Sequence, residues 1–378
     1  MAAPSAVYGS NELRLSARQW LIVIAIFVGW MLIVPRAWKH WERFSTGADY
    51  RIPYSLSKDY WLYERRIDET TGAQSIPIFG DSVVWGEYVR PDGTLSHFLN
   101  KQAGQPRFIN AGVNGLFPLA MEGLVEHYAG AIRGRKVIVH WNILWLTSAK
   151  ADLSTDQQER FNHSRLVPQF FPRIPAYHAD ANERLSAELD QHVNYFAWSA
   201  HLQNAYYDQR SIPQWTLIDD GNEPPNYPNA WRNPLAPLKT GIPTEPANDP
   251  QRGPASPRHK AWNAGGAEPT RFEWVDLDSS LQWHAFQRVV QLLRARGNDV
   301  MVIVGPFNEH MIALDQRATY RAMQVQVVNW LSANQCKVIA PEVLPSDLYA
   351  DASHPLTQGY ALLARRIHEQ PQFSNWGR

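Results

Sequence analysis

A serine, an aspartate and a histidine in this sequence could together carry out nucleophilic chemistry. Ser82 follows a short apolar run in SIPIFGDSVVWGEYV, while Asp351 and His354 stand three residues apart in DASHP. A serine hydroxyl is a weak nucleophile that needs a base to take its proton, and the base needs a partner that fixes its tautomer. We therefore predict a catalytic triad in which His354 is the base for Ser82 and Asp351 orients His354.

A tetrahedral oxyanion formed at Ser82 would also need hydrogen-bond donors. The candidates are the backbone N–H of Ser82, the backbone N–H of Gly115 in NAGVNG and the side-chain amide of Asn142 in HWN. Gly115 has no Cβ, so a substrate can approach its backbone closely. Because each candidate belongs at the end of a predicted strand, we expect the three donors to surround one oxyanion.

Two further residues are weaker candidates for substrate binding. Trp85, three residues after Ser82, could line an acyl or sugar pocket or could belong to the core. Asn308, in GPFNEHM, could reach the same pocket or could belong to a loop that caps the following helix. We expect Asp81 to stabilise the serine turn as a hydrogen-bond acceptor, and His140 to be a satisfied core histidine.

Five short apolar runs are typical of buried parallel strands, and helical patterns separate most of them. The runs are SIPIFG at 75–80, RFINAG at 107–112, KVIVHWN at 136–142, DVMVIVG at 299–305 and KVIAP at 337–341. This alternation predicts an α/β fold with a parallel sheet that helices cover on both faces. Ligands of such sheets bind beyond the carboxyl ends of the strands, which is where the candidate residues would meet.

The N-terminal region contains an apolar run without charges, WLIVIAIFVGWMLIV at 20–34, which is typical of a membrane anchor. A buried core helix is the alternative reading. A cleaved signal peptide is less favoured because no Ala-x-Ala-like site follows the run. The Lys and Arg residues on its two sides are too evenly matched to decide the orientation, although their count slightly favours a cytoplasmic body.

A long insertion interrupts the alternation of strands and helices. Residues 211–270 hold 12 of the 27 prolines, together with Trp215, Trp231 and Trp262. This composition predicts a mostly irregular segment that is too aromatic to be simply disordered. A lid over the carboxyl edge of the sheet and a structural flap over exposed core both remain open. The predicted organisation is a tail at 1–18, a transmembrane anchor at 19–38, a juxtamembrane linker at 39–74, and one domain at 75–378 with an insertion at 147–270.

The composition excludes several classes of partner and site. The 36 Lys and Arg residues balance the 36 Asp and Glu residues, and no basic run is interleaved with aromatics, so we predict no nucleic-acid partner. The single cysteine, Cys336, rules out an intramolecular disulfide framework and a Cys-rich metal site. The histidines show no metal-type spacing.

The four blocks GDSVVWG, INAGVNG, HWN and DASHP resemble those of the SGNH, or GDSL-like, hydrolases, in the order and strand context of that family. The family's serine, glycine, asparagine and histidine correspond to Ser82, Gly115, Asn142 and His354. The resemblance spans 75–369 apart from the insertion. It implies a flavodoxin-like three-layer sandwich with strand order 2-1-3-4-5, no metal or organic cofactor, and ester chemistry through an acyl-serine intermediate.

The match is weakest around Asn142. The family has Gly-x-Asn-Asp in this block, whereas Trp141 and Ile143 flank Asn142 here. The oxyanion role of Asn142 is therefore the least supported of the four assignments.

A serine ester domain behind a membrane anchor is similar to cell-envelope enzymes that move acyl groups on and off polysaccharides. We thus expect a single-pass membrane protein with an extracytoplasmic catalytic domain, acting as an esterase or O-acyltransferase on acyl esters, acetyl foremost. The expected partners are an acylated glycan or acyl donor, the membrane, and a membrane-embedded acyl-transfer protein.

Two other functions remain open. The first is a non-catalytic glycan-binding or scaffold protein of an acylation complex, which the intact Ser82, Asp351 and His354 disfavour. The second is a lipid esterase, which the lack of a long apolar stripe in the insertion disfavours.

Overall fold

The fold is built on one parallel sheet. The computed structural model describes residues 15–44, 46–47, 49–70, 75–217, 233–238, 241 and 260–377. Five strands, all parallel, lie in the order β2-β1-β3-β4-β5. The strands are β1 Ile76–Gly80, β2 Phe108–Gly112, β3 Lys136–Trp141, β4 Asp299–Val304 and β5 Lys337–Ile339. The predicted α/β fold with strand order 2-1-3-4-5 is confirmed.

Helices cover both faces of the sheet, which is why its strands read as nearly continuous apolar runs. On one face α4 packs against α12, and on the other α5 packs against α10, so two separate apolar cores flank the sheet. The helices are α1 Ala17–Trp41, α2 Tyr60–Glu69, α3 Ser82–Trp85, α4 Leu95–Ala103, α5 Pro118–Tyr128, α6 Ala149–Asp152, α7 Ala181–His192, α8 Asn194–Tyr206, α9 Ile212–Thr216, α10 Leu281–Ala295, α11 Arg317–Ala333, α12 Thr357–Glu369 and α13 Pro371–Gly377.

Helix α1 is long and apolar enough to cross a membrane, and most of its surface is exposed. Its C-terminal half packs against α8. The ring centroids of Trp30 and Tyr195 are 5.2 Å apart, and those of Trp38 and Trp198 are 6.2 Å apart. The helix agrees with the predicted anchor at 19–38 and extends beyond it at both ends. The first 14 residues of the predicted tail lie outside the described residues.

A buried network of charges joins the end of α1 to the body. Glu42, directly after α1, accepts hydrogen bonds from Arg65 at 2.5 Å, from His201 Nε2 at 2.8 Å and from the hydroxyl of Tyr206. His201 Nδ1 donates to Asp59 at 2.7 Å. Burial by itself lowers the pKa of His201, but the two carboxylates outweigh it and raise that pKa to about 9. His201 is therefore a buried imidazolium with both ring nitrogens donating.

The segment predicted as a linker, 39–74, is not a free tether. Its helix α2 buries Trp61, Leu62 and Tyr63, and its Arg51 guanidinium donates to backbone carbonyls beside the serine turn. The described part of this segment therefore belongs to the folded body. It fixes α1 to the domain through packing and buried charge.

The insertion at 147–270 is helical in its first part, although much of 211–270, the stretch predicted to be irregular, lies outside the described residues. It contains α6 to α9, and α8 packs on α1 and α2 while α7 packs on α8. Sequence periodicity did not identify α7 or α8. Trp215 packs against Tyr207, and Trp262 donates to Ser346 at 3.1 Å, whereas Trp231 lies outside the described residues. Within the described residues, helices α7 and α8 pack away from the candidate site, and Asn162 lies close to Gly115 at the carboxyl edge of the sheet.

Candidate active site

Ser82 lies at the carboxyl end of β1 because the chain turns there directly into α3. The Asp81 carboxylate caps this short helix by accepting from the N–H of Val83 at 3.0 Å. Gly80 is required at the end of the strand, since a Cβ there would come within 2.3 Å of Val84 and 2.9 Å of His140. The strand end, the cap and the close packing together fix the position of Ser82.

The structure brings Ser82, His354 and Asp351 together although 272 positions separate the serine from the histidine. Ser82 Oγ is 2.8 Å from His354 Nε2, and His354 Nδ1 is 2.8 Å from both carboxylate oxygens of Asp351. With Nδ1 donating to Asp351, Nε2 is left as the acceptor for the serine hydroxyl. This is the geometry that a nucleophile, its base and the orienting acid require.

Asp351 is itself held by its own loop. One carboxylate oxygen accepts from the backbone N–H groups of Ser353 and His354, each at 2.9 Å. Asn308 also fixes this loop, since its backbone N–H donates to Ala352 O at 2.8 Å and its amide to Asp351 O at 3.2 Å. Asn308 is completely buried, so it positions the loop of Asp351 and does not line an open pocket.

The electrostatics favour the charged forms of both His354 and Asp351. Burial alone would lower the pKa of His354, but the Asp351 carboxylate beside it raises that pKa, and Asp81 and Glu87 act in the same direction. Burial also opposes ionisation of Asp351, yet the imidazole and the two backbone N–H groups lower its pKa below the ordinary value. These surroundings therefore stabilise an imidazolium at His354 beside an ionised Asp351.

Two of the three predicted oxyanion donors are open. The backbone N–H groups of Ser82 and Gly115 have no hydrogen-bond acceptor among the described residues. Gly115 has a positive φ of 73°, a conformation that glycine adopts without strain. Both N–H groups are therefore available to an incoming oxyanion.

Asn142 occupies a different position. Its amide nitrogen donates to Asp81 Oδ2 at 2.8 Å, its oxygen accepts from the N–H of Leu144, and its relative exposure is 0%. In the structure, Asn142 thus holds the carboxylate of Asp81, the residue that precedes Ser82. The oxyanion role of Asn142 stays a prediction that depends on the second N–H of the same amide.

Asp81 and His140 form a buried pair behind the serine turn. His140 Nδ1 lies 3.2 Å from Asp81 Oδ1. Burial raises the pKa of Asp81, but His140 and the Asn142 amide outweigh it and lower that pKa, so Asp81 is held as a carboxylate. The expectation of a satisfied histidine is wrong, because neither ring nitrogen of His140 has a hydrogen-bond partner within the described part of the chain.

Trp85 does not line an open pocket. Only 1% of it is exposed, its indole N–H donates to Ile52 O at 2.7 Å, and the Arg51 guanidinium lies 3.9 Å from the ring centroid. The structure thus corrects the substrate-binding reading of Trp85 and supports the core reading. Trp85 is the last residue of α3, and local spacing alone does not reveal that this end of the helix turns into the core.

Several residues near the site were not singled out from the sequence as functional. The ring of Tyr88 lies 5.3 Å from that of His354, edge to face, and the Glu87 carboxylate accepts from the Asn114 amide. From the insertion, His163 Nε2 donates to Asn114 O at 2.8 Å. The position of Glu87 and Tyr88 just after the serine turn was a usable signal, whereas nothing local pointed to His163.

Comparison with known proteins leaves the family open. No family model matches this chain, and no curated protein matches it. In the described residues, no group of three or more His, Cys, Asp or Glu side chains could hold a metal ion. The SGNH-type assignment therefore depends on the four sequence blocks and on the geometry around Ser82.

Proposed function

We propose that this chain is a membrane-anchored serine esterase or O-acyltransferase that acts on acyl esters, foremost acetyl esters, of a cell-envelope polysaccharide. The observation that carries the proposal is the continuous hydrogen-bonded row from Ser82 Oγ through His354 to Asp351, with 2.8 Å at each contact. A serine placed so at a strand end, next to open backbone N–H groups, has the parts that acyl transfer needs.

The first half of the reaction would make an acyl-enzyme. Ser82 Oγ attacks the ester carbonyl carbon while His354 Nε2 takes the hydroxyl proton. The carbonyl oxygen gains negative charge and accepts from the N–H groups of Ser82 and Gly115. The intermediate collapses as His354 returns the proton to the leaving alkoxide, which departs as an alcohol and leaves the acyl group on Ser82.

The second half frees the enzyme. A water molecule or a sugar hydroxyl gives its proton to His354 Nε2 as its oxygen attacks the acyl-serine. Collapse of the second tetrahedral intermediate returns the proton to Ser82 Oγ and releases an acid or a new ester. Transfer requires that a hydroxyl acceptor outcompete water at this step, so the two outcomes differ only in which nucleophile reaches the acyl group.

The reactivity of Ser82 tests the proposal directly. The full-length chain in detergent micelles is exposed to a fluorophosphonate and its intact mass is measured. We expect one adduct on the wild-type protein, no adduct on Ser82→Ala, and an unchanged adduct on Ser332→Ala, an exposed serine of α11. Folded wild-type protein that gains no adduct would favour a non-catalytic role.

The extracytoplasmic position of the catalytic domain is part of the proposal. It follows from the proposed substrate class, since envelope polysaccharides lie outside the cytoplasm, and it requires that α1, which is long and apolar enough, cross the membrane. A reporter enzyme that is active only outside the cytoplasm, fused after Arg378, should be active in cells. Activity of a matched cytoplasm-only reporter at the same position would instead place the domain inside and remove envelope polysaccharide as the substrate.

The expected partners follow from the same reasoning. An acyl-transfer protein embedded in the membrane could hand the acyl group to Ser82, because the anchor holds the catalytic domain at the bilayer. The rigid junction at Glu42 supports this arrangement, since it fixes the distance between the domain and the end of α1.

A further inference from the structure

A polar groove of about 470 Å³ lies along the insertion stretch that contains Asn162. It is bounded by Lys58, by the insertion stretch 158–165 and by residues around Tyr177. Its volume falls within the range of about 300–1,000 Å³ that is usual for ligand pockets.

Asn162 joins the groove to the catalytic site. Its amide nitrogen lies so close to Gly115 that a Cβ on that glycine would come within 2.4 Å of it. Asn162 also lines the groove, so the same side chain contacts both the groove and the residue whose N–H is a candidate oxyanion donor. A chain that lies in the groove would therefore enter the site next to Gly115.

The neighbouring His163 holds this junction in place. Its Nε2 donates to Asn114 O at 2.8 Å, and its Nδ1 accepts from the Tyr60 hydroxyl at 3.1 Å. Burial lowers the pKa of His163 to about 4, so it is neutral and keeps one donor and one acceptor. This strut ties the insertion to both α2 and the loop that carries Gly115.

Some charged side chains of the groove have partners in the protein and others do not. Its two carboxylates already have partners, since Glu159 pairs with Lys150 at 2.8 Å and Glu183 accepts from the N–H of Asp180. Arg165 pairs with Asp190 outside the groove. Lys58 and Arg160 are exposed and make no ion pair or side-chain hydrogen bond with any described residue.

The groove also offers an apolar edge. Phe161 and Tyr177, both half-buried, meet edge to face with centroids 5.7 Å apart. A hydrophobic ring edge among polar donors suits a chain with alternating C–H and hydroxyl surfaces. Two unengaged cations beside it suit negative charge on the same chain.

We propose that this groove binds a hydroxyl-bearing chain that carries carboxylate or phosphate groups, with Lys58 and Arg160 contacting the anionic groups. The chain extends past Asn162 so that an ester or a hydroxyl on it reaches Ser82. This last step depends on the proposed function, whereas the binding itself does not.

Binding is tested by calorimetry on the full-length chain in neutral detergent. The probes are an oligogalacturonate, a glycerol-phosphate oligomer and a neutral malto-oligosaccharide of matched length. We expect at least one anionic probe to bind and the neutral probe to bind at least tenfold more weakly. The two anionic probes distinguish carboxylate from phosphate as the recognised group. Equal binding of the neutral probe, or no binding of either anionic probe, would overturn the proposal.

Two double variants locate the site. Lys58→Gln with Arg160→Gln should weaken anionic binding about tenfold or more, because two charge-assisted contacts are lost. Lys101→Gln with Arg210→Gln removes the same charge from exposed positions outside the groove and should bind as the wild type does. If both double variants lose affinity for the anionic probe equally, the probe is attracted by the overall charge of the protein and the groove is not the binding site.

The two proposals can fail separately. Binding measured by calorimetry needs no turnover. A protein whose Ser82 does not react with fluorophosphonate can therefore still bind the anionic probe through Lys58 and Arg160. If Ser82 reacts with fluorophosphonate but neither anionic probe binds, only the proposal about the groove is overturned. Saturating anionic probe should also slow the labelling of Ser82, and an unchanged labelling rate would show that the bound chain does not reach the serine.

Discussion

Replacement of His354 with alanine is expected to lower ester turnover on the order of a millionfold, as loss of the base does in other serine triads. The reason is geometric. His354 Nε2 at 2.8 Å is the only described group that accepts from the Ser82 hydroxyl, so no substitute base is in place. The measurement is kcat for hydrolysis of a small activated acetate ester by the full-length chain.

The controls for this prediction separate chemistry from folding. His284→Ala removes an exposed histidine on α10 and should leave turnover unchanged. Asp351→Asn should lower kcat about ten-thousandfold, because the amide favours the wrong tautomer of His354. If the folded His354→Ala variant retains more than about a hundredth of the wild-type rate, another group is the base and the triad is wrong.

The second large effect is expected on stability. Glu42→Ala should lower the free energy of unfolding by about 3–5 kcal/mol, because it leaves Arg65 and His201 as buried charges without that partner. The Glu42 side chain is completely buried, so solvent cannot replace the carboxylate. Thermal unfolding in detergent, followed by tryptophan fluorescence, should show a Tm several degrees below that of the wild type.

The pH dependence of this effect has a definite sign. The pKa of His201 rises from 6.5 to about 9 in the folded state, so its contribution is complete below about pH 6.5 and is lost as the pH rises through about 9. Although burial opposes ionisation, the pKa of Glu42 falls below 4.5, chiefly through His201. Its contribution is present above pH 4.5 and is lost as the pH falls through the lowered pKa. The Tm gap between wild type and Glu42→Ala should thus be widest between pH 4.5 and 6.5 and should narrow toward pH 9.

Glu369→Ala is the matched control for the stability prediction. Glu369 is exposed on α12 and lies 3.9 Å from Arg365, so its loss should change stability by no more than about 0.5 kcal/mol. A Glu42→Ala variant as stable as Glu369→Ala would show that the buried network does not hold α1 to the body.

The fold was largely predictable because its signals are local. A strand covered by helices on both faces must be apolar at nearly every position, and β1 is buried along its whole length. The five apolar runs therefore located the strands to within two residues of their observed ends. The uncharged run after Trp20 located α1 in the same way, since a helix exposed to lipid must also be apolar.

The candidate triad was predictable for a related reason. Strands of a parallel sheet end at one edge, so polar blocks that follow different strands must be neighbours in space. Ser82 and Gly115 follow neighbouring strands, and DASHP comes just before the helix that closes the domain. The order of the blocks along the chain and their place at the carboxyl edge of the sheet were enough to predict that they meet, without any knowledge of individual contacts.

The sequence by itself thus determined the strands, the membrane-type helix and the residues that could form a triad, because periodicity and strand ends are properties of neighbouring positions. Only the tertiary structure decided that Trp85 is core, that Asn308 positions the loop of Asp351, and that His163 reaches the loop of Gly115 from the insertion. It also decided that Glu42 meets His201, 159 positions away. Such contacts depend on how whole helices pack, and no local pattern of residues specifies which distant side chain will complete a buried hydrogen bond.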